Sequence, residues 1–98
     1  MNTPHDGWYL YVLRCSDASL YCGITNNLLR RIDQHNAGTG ARYTRGRRPV
    51  ILARSWAIES RSAALKSEAA FKKLSRKTKE LSLSSPDATA QKWLTVAP

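Results

Sequence analysis

The fold is decided by the stretch from Tyr9 to His35, which reads YLYVLRCSDASLYCGITNNLLRRIDQH. Residues 8–15 and 20–25 are rich in aromatic and aliphatic side chains, a composition typical of β-strands. The polar residues between these two segments predict a turn. The two strands are therefore expected to form an antiparallel hairpin.

A helix follows the hairpin directly. Asn26 or Asn27 can supply its N-cap, because an asparagine side-chain oxygen accepts hydrogen bonds from the first free amides of a helix. The helix is predicted over residues 28–36, and Gly38 ends it.

This helix carries polar residues beside its apolar stripe. Leu28 and Ile32 face the core, while Arg31 and His35 lie one turn apart on an adjoining stripe. Two phenols, a guanidinium and an imidazole thus fall within a span short enough to meet in space. These candidate site residues are Tyr11, Tyr21, Arg31 and His35.

A shared site requires Tyr11 and Tyr21 to lie on the same face of the sheet. Side chains alternate along a strand, so a two-residue turn would send the two phenols to opposite faces. An odd-length loop, such as residues 17–19, or a bulge keeps them on one face. That loop would pair Tyr11 with Thr25 and Tyr21 with Cys15, and we predict the odd loop or a bulge.

The remaining elements complete a small domain. Residues 50–57 predict a third strand, which is mostly apolar. A second helix, capped by Ser60 or Ser62, is predicted to end at Leu74, and residues 76–83 predict a short basic helix.

Composition divides the chain into three parts. Residues 1–7 form an N-terminal arm, residues 8–83 the domain, and residues 84–98 a C-terminal tail. The tail is rich in Ser, Ala, Thr, Asp and Pro, which predicts a loose segment. Whether Trp93 and Leu94 dock it onto the domain stays open.

The charge balance indicates the class of partner. The chain has 98 residues, enough for one modest core, and a net charge of +9 from 16 basic against 7 acidic residues. Such a balance favours partners that carry phosphate, although a basic protein with no nucleic-acid role is the alternative. No long apolar run is present, so membrane binding is not expected. The N-terminus lacks a signal-peptide pattern, so we expect a cytoplasmic protein. We also expect a monomer and leave a protein partner open.

The two cysteines are predicted to be free thiols. Cys15 and Cys22 fall on neighbouring strands, where we expect them to be half-buried and reduced. A disulfide or a shared metal is the alternative, but their seven-residue spacing matches no zinc pattern.

Residues 38–49 are rich in glycine and arginine. The fixed donor fork of arginine suits phosphate, and Tyr43 offers a ring on which a base could stack. The alternative is a flexible, solvated loop. A second positive run covers residues 72–79. The candidate nucleic-acid-binding residues are Arg42, Tyr43, Arg45, Arg47, Arg48, Lys72 and Lys73.

Glu68 has two possible environments in the second helix. It lies three residues from both Leu65 and Phe71, which places it on the inward side, where a carboxylate needs a cation or a metal. It could equally form an ordinary i, i+4 pair with Lys72 on the rim of the helix. The sequence leaves both open.

Taken in order, these residues resemble the GIY-YIG nuclease superfamily, above all its small stand-alone bacterial members. The likeness covers residues 8–83 and rests on an ordered set of short motifs. They are Tyr9-Leu10-Tyr11, Tyr21-Cys22-Gly23 continued by Ile24-Thr25, Arg30-Arg31, His35, Tyr43-Thr44-Arg45-Gly46, and Glu68 within the segment 61–76.

The sequence departs from the family pattern in several places. The first motif lacks the Gly and Ile of the family, and Cys22 replaces the usual Ile or Val of the second. Ile24 stands where some members carry a lysine. The family's late asparagine has no clear match, which leaves open how a metal site is completed.

The resemblance implies an α+β fold, a small three-stranded antiparallel sheet flanked by helices. It also implies a metal-dependent endonuclease that hydrolyses phosphodiester bonds in DNA, in repair or processing, with one divalent ion. A hard cation that prefers oxygen ligands would be Mg²⁺ or Mn²⁺. The site would be lined by Tyr11, Tyr21, Arg31, His35 and Glu68.

The residue types fit this chemistry. Glu68 would hold the metal, and Arg31 would contact the nonbridging oxygens with its donor fork. A tyrosine could act as general base only where positive charge favours the phenolate, whereas His35 is better matched to neutral pH. The resemblance favours Tyr21 as the base, with Tyr11 and His35 positioning the water or the phosphate.

Two other functions remain open. A noncatalytic nucleic-acid-binding module would use the same basic groups, with the tyrosines as stacking platforms. A catalytic piece that relies on a partner for substrate choice is the third possibility.

Overall fold

The structure is a computed structural model that describes residues 7–84. Its strands are β1 (Trp8–Arg14), β2 (Leu20–Thr25) and β3 (Ile51–Ile58). Its helices are α1 (Leu28–Ala37), α2 (Arg42–Arg45), α3 (Arg61–Lys72) and α4 (Arg76–Ser84). The strands form one antiparallel sheet in the order β2-β1-β3, flanked by helices, so the predicted α+β fold is confirmed.

The central strand β1 is buried on both faces. Because side chains alternate along a strand, Leu10 and Val12 point to one face and Tyr11 and Leu13 to the other. The first face packs against α3 through Phe71, and the second packs against apolar side chains of α1. The sheet therefore separates two apolar layers, and Tyr11 lies in the layer on the α1 side.

The loop between β1 and β2 decides which residues share a face. Tyr11 pairs with Gly23 and Leu13 pairs with Tyr21, so the two tyrosines lie diagonally adjacent on one face. Their ring centroids are 6.4 Å apart. The predicted odd-length loop is therefore correct, and the two phenols reach a common site.

The predicted partners of these tyrosines, Thr25 and Cys15, are wrong by two residues along the ladder. The turn lies one position earlier than predicted, because Cys15 and Ser19 still pair through a backbone hydrogen bond of 2.9 Å. Ala18 closes the turn with a left-handed backbone (φ 70°) and donates its amide to the Cys15 carbonyl. Hairpins with three-residue loops commonly use this conformation.

The helices begin at capping residues that the sequence offers. Asn27 rather than Asn26 caps α1, and Ser60 rather than Ser62 caps α3, each through its side-chain oxygen. Gly38 ends α1 in the left-handed conformation, with φ 84°.

Several boundaries differ from the prediction. The short helix α2 lies inside residues 38–49, which the sequence predicts as a loop. α3 ends at Lys72 rather than Leu74, and α4 continues to Ser84, inside the predicted tail. The rest of that tail, with Trp93 and Leu94, lies outside the described residues, as does the N-terminal arm before Gly7.

The Glu80 carboxylate of α4 accepts hydrogen bonds from both the sheet and the helix itself. Arg14 donates two hydrogen bonds of 2.8 and 3.0 Å to Glu80. Arg76 bonds the same carboxylate and also the Ala18 carbonyl, at 2.9 and 2.8 Å. The hydrogen bonds from Arg14, followed by those from Arg76, lower the pKa of Glu80 to about 2. The network joins α4 to the hairpin that carries both tyrosines.

Two further expectations concern thiols and membranes. Cys15 and Cys22 are free, as predicted, but both are buried rather than half-buried. Within residues 7–84, no helix is long and apolar enough to cross a membrane.

Gly23 is required because the Tyr11 ring lies across it. A Cβ added at Gly23 would lie 2.7 Å from the Tyr11 hydroxyl oxygen. We predict that Gly23→Ala lowers the free energy of unfolding by about 1–3 kcal/mol, the usual cost of overpacking, in a urea titration. Gly46→Ala is the matched control, since a Cβ there would meet nothing within 4 Å. Equal stability of the two variants would contradict this packing.

Candidate active site

Tyr11 and His35 form a buried hydrogen bond that joins β1 to α1. Tyr11 Oη lies 2.8 Å from His35 Nε2, and the two residues are 1% and 0% exposed. The rings meet edge to face, with centroids 5.8 Å apart. The sheet and the helix thus bring together two of the residues that the sequence singles out.

Thr44 contacts the other nitrogen of the imidazole. His35 Nδ1 lies 2.7 Å from Thr44 Oγ1, which in turn lies 3.0 Å from the Ala41 carbonyl oxygen. Because a carbonyl can only accept, Thr44 donates to Ala41 and accepts from Nδ1–H. This network assigns the proton of neutral His35 to Nδ1 and leaves Nε2 to accept from Tyr11.

Burial keeps the phenol and the imidazole uncharged at neutral pH. Burial, assisted by the Arg31 guanidinium, lowers the pKa of His35 to about 4. Burial also raises the pKa of Tyr11 to about 12, although a hydrogen bond from Arg31 acts in the opposite direction. Tyr11 is therefore a poor general base and a good hydrogen-bond donor.

Arg31 lies at the edge of this pair and is half-buried. Its Nε lies 3.4 Å from Tyr11 Oη, a long contact, and its Nη1 lies 2.9 Å from Gln34 Oε1. These contacts orient the guanidinium plane. Nη2 makes no hydrogen bond within the part of the chain that the structure describes.

Tyr21 forms the open side of the cluster. Its ring centroid lies 5.2 Å from that of His35 and 5.9 Å from that of Tyr43, which stacks on it. Tyr21 is half-buried, and its hydroxyl has no hydrogen-bond partner among residues 7–84. An adjoining pocket is lined by Leu20, Tyr21, Cys22, Tyr43, Phe71, Lys72 and Lys79. The pocket therefore combines aromatic walls with two ammonium groups.

Glu68 satisfies both environments that the sequence leaves open. Its carboxylate forms the i, i+4 pair with Lys72 at 3.0 Å. Its side chain is nevertheless only 20% exposed. Burial, and next the Glu68 charge, raise the pKa of the Cys22 thiol to about 12.

Among the predicted site residues, Glu68 is the carboxylate that could bind a metal ion. Within residues 7–84, no group of three or more His, Cys, Asp and Glu side chains could hold one. One carboxylate still suits Mg²⁺ or Mn²⁺, because such ions keep several waters and take other oxygens from a substrate phosphate. Glu68 could hold such an ion if the Lys72 ammonium gave up its place.

The predicted phosphate-binding arginines divide into two pairs. Arg47 bonds Asp17 at 3.1 Å, and Arg48 donates to two backbone carbonyl oxygens. Arg42 and Arg45 are exposed, and their guanidinium groups have no partner among the described residues. The first pair stabilises the fold locally, whereas the second pair is available to a ligand.

Two residues of the site carry no clear signal in the sequence. Thr44 belongs to a motif that resembles the family, but nothing in that motif indicates its contact with His35. Gly40 is needed because a Cβ there would lie 2.8 Å from the His35 Cα atom. Both contacts form only when the chain after α1 folds back over the imidazole.

Comparison with known proteins agrees with this fold. The model of the GIY-YIG catalytic domain matches residues 7–81, and the chain belongs to this family, which is part of a nuclease superfamily.

Similar proteins come from bacteria and archaea and are called UPF0213 proteins. One from Enterococcus faecalis is 54% identical over 74 residues, which cover 74% of this chain and 84% of that protein. One from Nitratidesulfovibrio vulgaris is 64% identical over 45 residues, which cover 46% of this chain and 41% of that protein. The solution structure of a UPF0213 protein from Bacillus halodurans has a TM-score of 0.52 and 40% identity, covering 93% of this chain and 99% of that one.

The division of the arginines predicts which of them contact phosphate. Replacing Arg42 and Arg45 together with alanine should weaken nucleic-acid binding. It should also lower the slope of log affinity against log salt by roughly 0.7–0.9 for each lost contact. Fluorescence anisotropy at several salt concentrations measures this slope. The matched control replaces Arg61 and Lys66 with alanine, since both are exposed cations outside α2 and outside the positive run 72–79. Equal slopes for the two double variants would contradict a phosphate-binding role for α2.

Proposed function

We propose that this protein is a metal-dependent endonuclease that hydrolyses phosphodiester bonds in DNA, in DNA repair or processing. The observation that carries the proposal is the cluster around the Tyr11 phenol. Its oxygen contacts both His35 and Arg31, and its ring contacts that of Tyr21. Membership of a family within a nuclease superfamily supports the same reaction.

Arg31 is the proposed contact for the nonbridging oxygens of the scissile phosphate. Negative charge builds on these oxygens as the nucleophile attacks, and a donor already in place stabilises it without reorganisation. Tyr11 and Gln34 hold Nε and Nη1 of the guanidinium, so Nη2 is left for the phosphate. A half-buried guanidinium also gains more from this contact than a fully solvated one.

Tyr21 is the proposed general base. Tyr11 donates its proton to His35 Nε2, and the lone pair of this nitrogen accepts that hydrogen bond. Neither group is therefore free to take a proton from water. The Tyr21 hydroxyl has no hydrogen-bond partner within the described residues, and it borders the open pocket. Because a phenol accepts a proton only as the phenolate, Tyr21 would first release its own proton to solvent and then take one from the attacking water. Tyr11 and His35 then act as the support that holds Tyr21 and Arg31 in place.

Glu68 is the proposed ligand of one Mg²⁺ or Mn²⁺. When bound, such an ion would neutralise charge on the phosphate and on the leaving oxygen. Lys72 would have to leave the carboxylate, and its ammonium would then be free to contact the DNA backbone.

The proposed DNA-binding surface combines the free cations with the aromatic pair. Arg42, Arg45 and Lys73 are exposed, so they are the groups that would contact phosphates first. The Tyr43 ring already contacts Tyr21 and the Arg47 guanidinium, which lies 4.0 Å above it. We therefore assign Tyr43 mainly to the support of Tyr21.

A noncatalytic nucleic-acid-binding module is the second candidate. The ion pair between Glu68 and Lys72 favours it, because the carboxylate already has a cation and does not require a metal. This module would bind DNA through the same basic groups and would leave the DNA intact.

The two candidates differ in the effect of two substitutions. Arg31→Ala and Glu68→Ala should each reduce DNA cleavage in Mg²⁺ by about 100-fold or more, the usual cost of losing a group that stabilises the transition state. Arg30→Ala and Glu59→Ala are matched controls, since both residues are exposed and carry the same charges. A gel assay with fluorescent DNA measures cleavage, and circular dichroism checks the fold.

Near-wild-type cleavage by a folded Arg31→Ala or Glu68→Ala variant would refute these assignments. A wild-type protein that binds DNA but cuts none in any divalent ion would favour the noncatalytic module.

A further inference from the structure

We propose that Thr44 is a positioning residue that sets the tautomer of His35 and, through it, the direction of the Tyr11 hydroxyl. Thr44 is fully buried and reaches no solvent, so its hydroxyl acts only within the network. The catalytic consequence rests on the proposed nuclease function, whereas the arrangement of protons can be measured without it.

The Ala41 carbonyl favours one direction for the network. This oxygen can only accept, and it already takes the Thr44 amide proton at 3.2 Å. When the Thr44 hydroxyl also donates to it, at 3.0 Å, the hydroxyl oxygen accepts from His35 Nδ1 at 2.7 Å. His35 Nε2 is then bare and accepts from Tyr11 at 2.8 Å. The Tyr11 oxygen keeps its lone pairs for the Arg31 Nε–H group at 3.4 Å.

The contact between Arg31 and Tyr11 favours the same direction. The Arg31 guanidinium can only donate, so Tyr11 must accept from it. If His35 carried its proton on Nε2, two donors would point at the phenol oxygen. The Tyr11 proton would then lose its acceptor inside the core, which is costly.

One contact favours the opposite tautomer. The Ala41 amide N–H lies 3.5 Å from His35 Nδ1 and would suit a bare nitrogen there. This distance is at the limit of a hydrogen bond, whereas the Thr44 contact is short. Without the Thr44 hydroxyl, a proton on Nδ1 would point at the Ala41 amide, and both of these donors would lack an acceptor. A proton on Nε2 would leave only the Tyr11 proton without an acceptor, so we expect the His35 proton to move to Nε2.

The chain after α1 is built to bring Thr44 to this position. Gly40 lets the backbone pass over His35, because a Cβ there would lie 2.7 Å from Nδ1. α2 then turns Thr44 inward and sets Tyr43 against Tyr21. The same hydroxyl therefore links the imidazole to the segment that supports Tyr21.

Two substitutions separate the hydroxyl from the shape of the side chain. Thr44→Val keeps the shape and removes the hydroxyl, while Thr44→Ser keeps the hydroxyl. Nitrogen-15 NMR of the full-length protein distinguishes the ring nitrogen that carries the proton from the bare one. We expect the proton on Nδ1 in the wild type and in Thr44→Ser, and on Nε2 in Thr44→Val.

The catalytic consequence is measured on the same proteins. DNA cleavage in Mg²⁺ by Thr44→Val should fall about tenfold or more in kcat, with KM little changed, and Thr44→Ser should restore most of it. A loss caused only by poorer folding would lower the unfolding temperature of Thr44→Val without moving the proton.

Several results would overturn the proposal. A wild-type spectrum with the proton on Nε2 does so even if no variant folds, and so does a Thr44→Val protein that keeps the proton on Nδ1. A shifted tautomer with unchanged cleavage removes the catalytic role. If the wild type cuts no DNA, the proposed function fails, and the spectra alone decide whether Thr44 sets the tautomer.

Discussion

A buried hydrogen bond between a phenol and an imidazole is the constraint on which the rest of this structure depends. Tyr11 and His35 are 24 residues apart and neither reaches solvent, so each must satisfy polar atoms of the other. Gly23 leaves room for the phenol, and Thr44 occupies the second imidazole nitrogen. Arg31 uses the phenol oxygen as one of its two anchors. The pair is thus the base on which the groups facing the solvent are arranged.

Local signals in the sequence were sufficient to predict much of the fold. Apolar segments, a capping asparagine and Gly38 predict the hairpin and α1. The odd-length loop follows instead from the requirement that Tyr11 and Tyr21 share a face. The register itself was not predictable, because a three-residue loop fits equally well one position later. The packing of Tyr11 across Gly23 and the left-handed backbone of Ala18 belong to the observed register, and neither can be read from the order of residues.

The parts of the site that depend on distant contacts were not predictable. α2 has four residues, too few for a periodic apolar pattern, and its buried contact is the bond from Thr44 to His35. In the sequence, nothing distinguishes Arg47 from the other arginines of residues 38–49. In the structure, its guanidinium donates to Asp17, which is 30 residues away. Glu68 shows the reverse case. Both of its expected environments are present, because a side chain at the edge of a helix face can pair with a neighbour and still be half-buried.

The central claim is that the Tyr11–His35 pair supports a nuclease site. Its most direct test is the cleavage of labelled DNA by the wild type and by Tyr11→Phe, each in Mg²⁺ and in EDTA. Phenylalanine keeps the ring over Gly23 and removes only the hydroxyl that joins Arg31 to His35. We predict that the wild type cuts only in Mg²⁺ and that a folded Tyr11→Phe protein cuts at least about tenfold more slowly. A folded Tyr11→Phe protein that cuts as fast as the wild type would contradict the claim, and a wild type that cuts equally well in EDTA would contradict the proposed metal dependence.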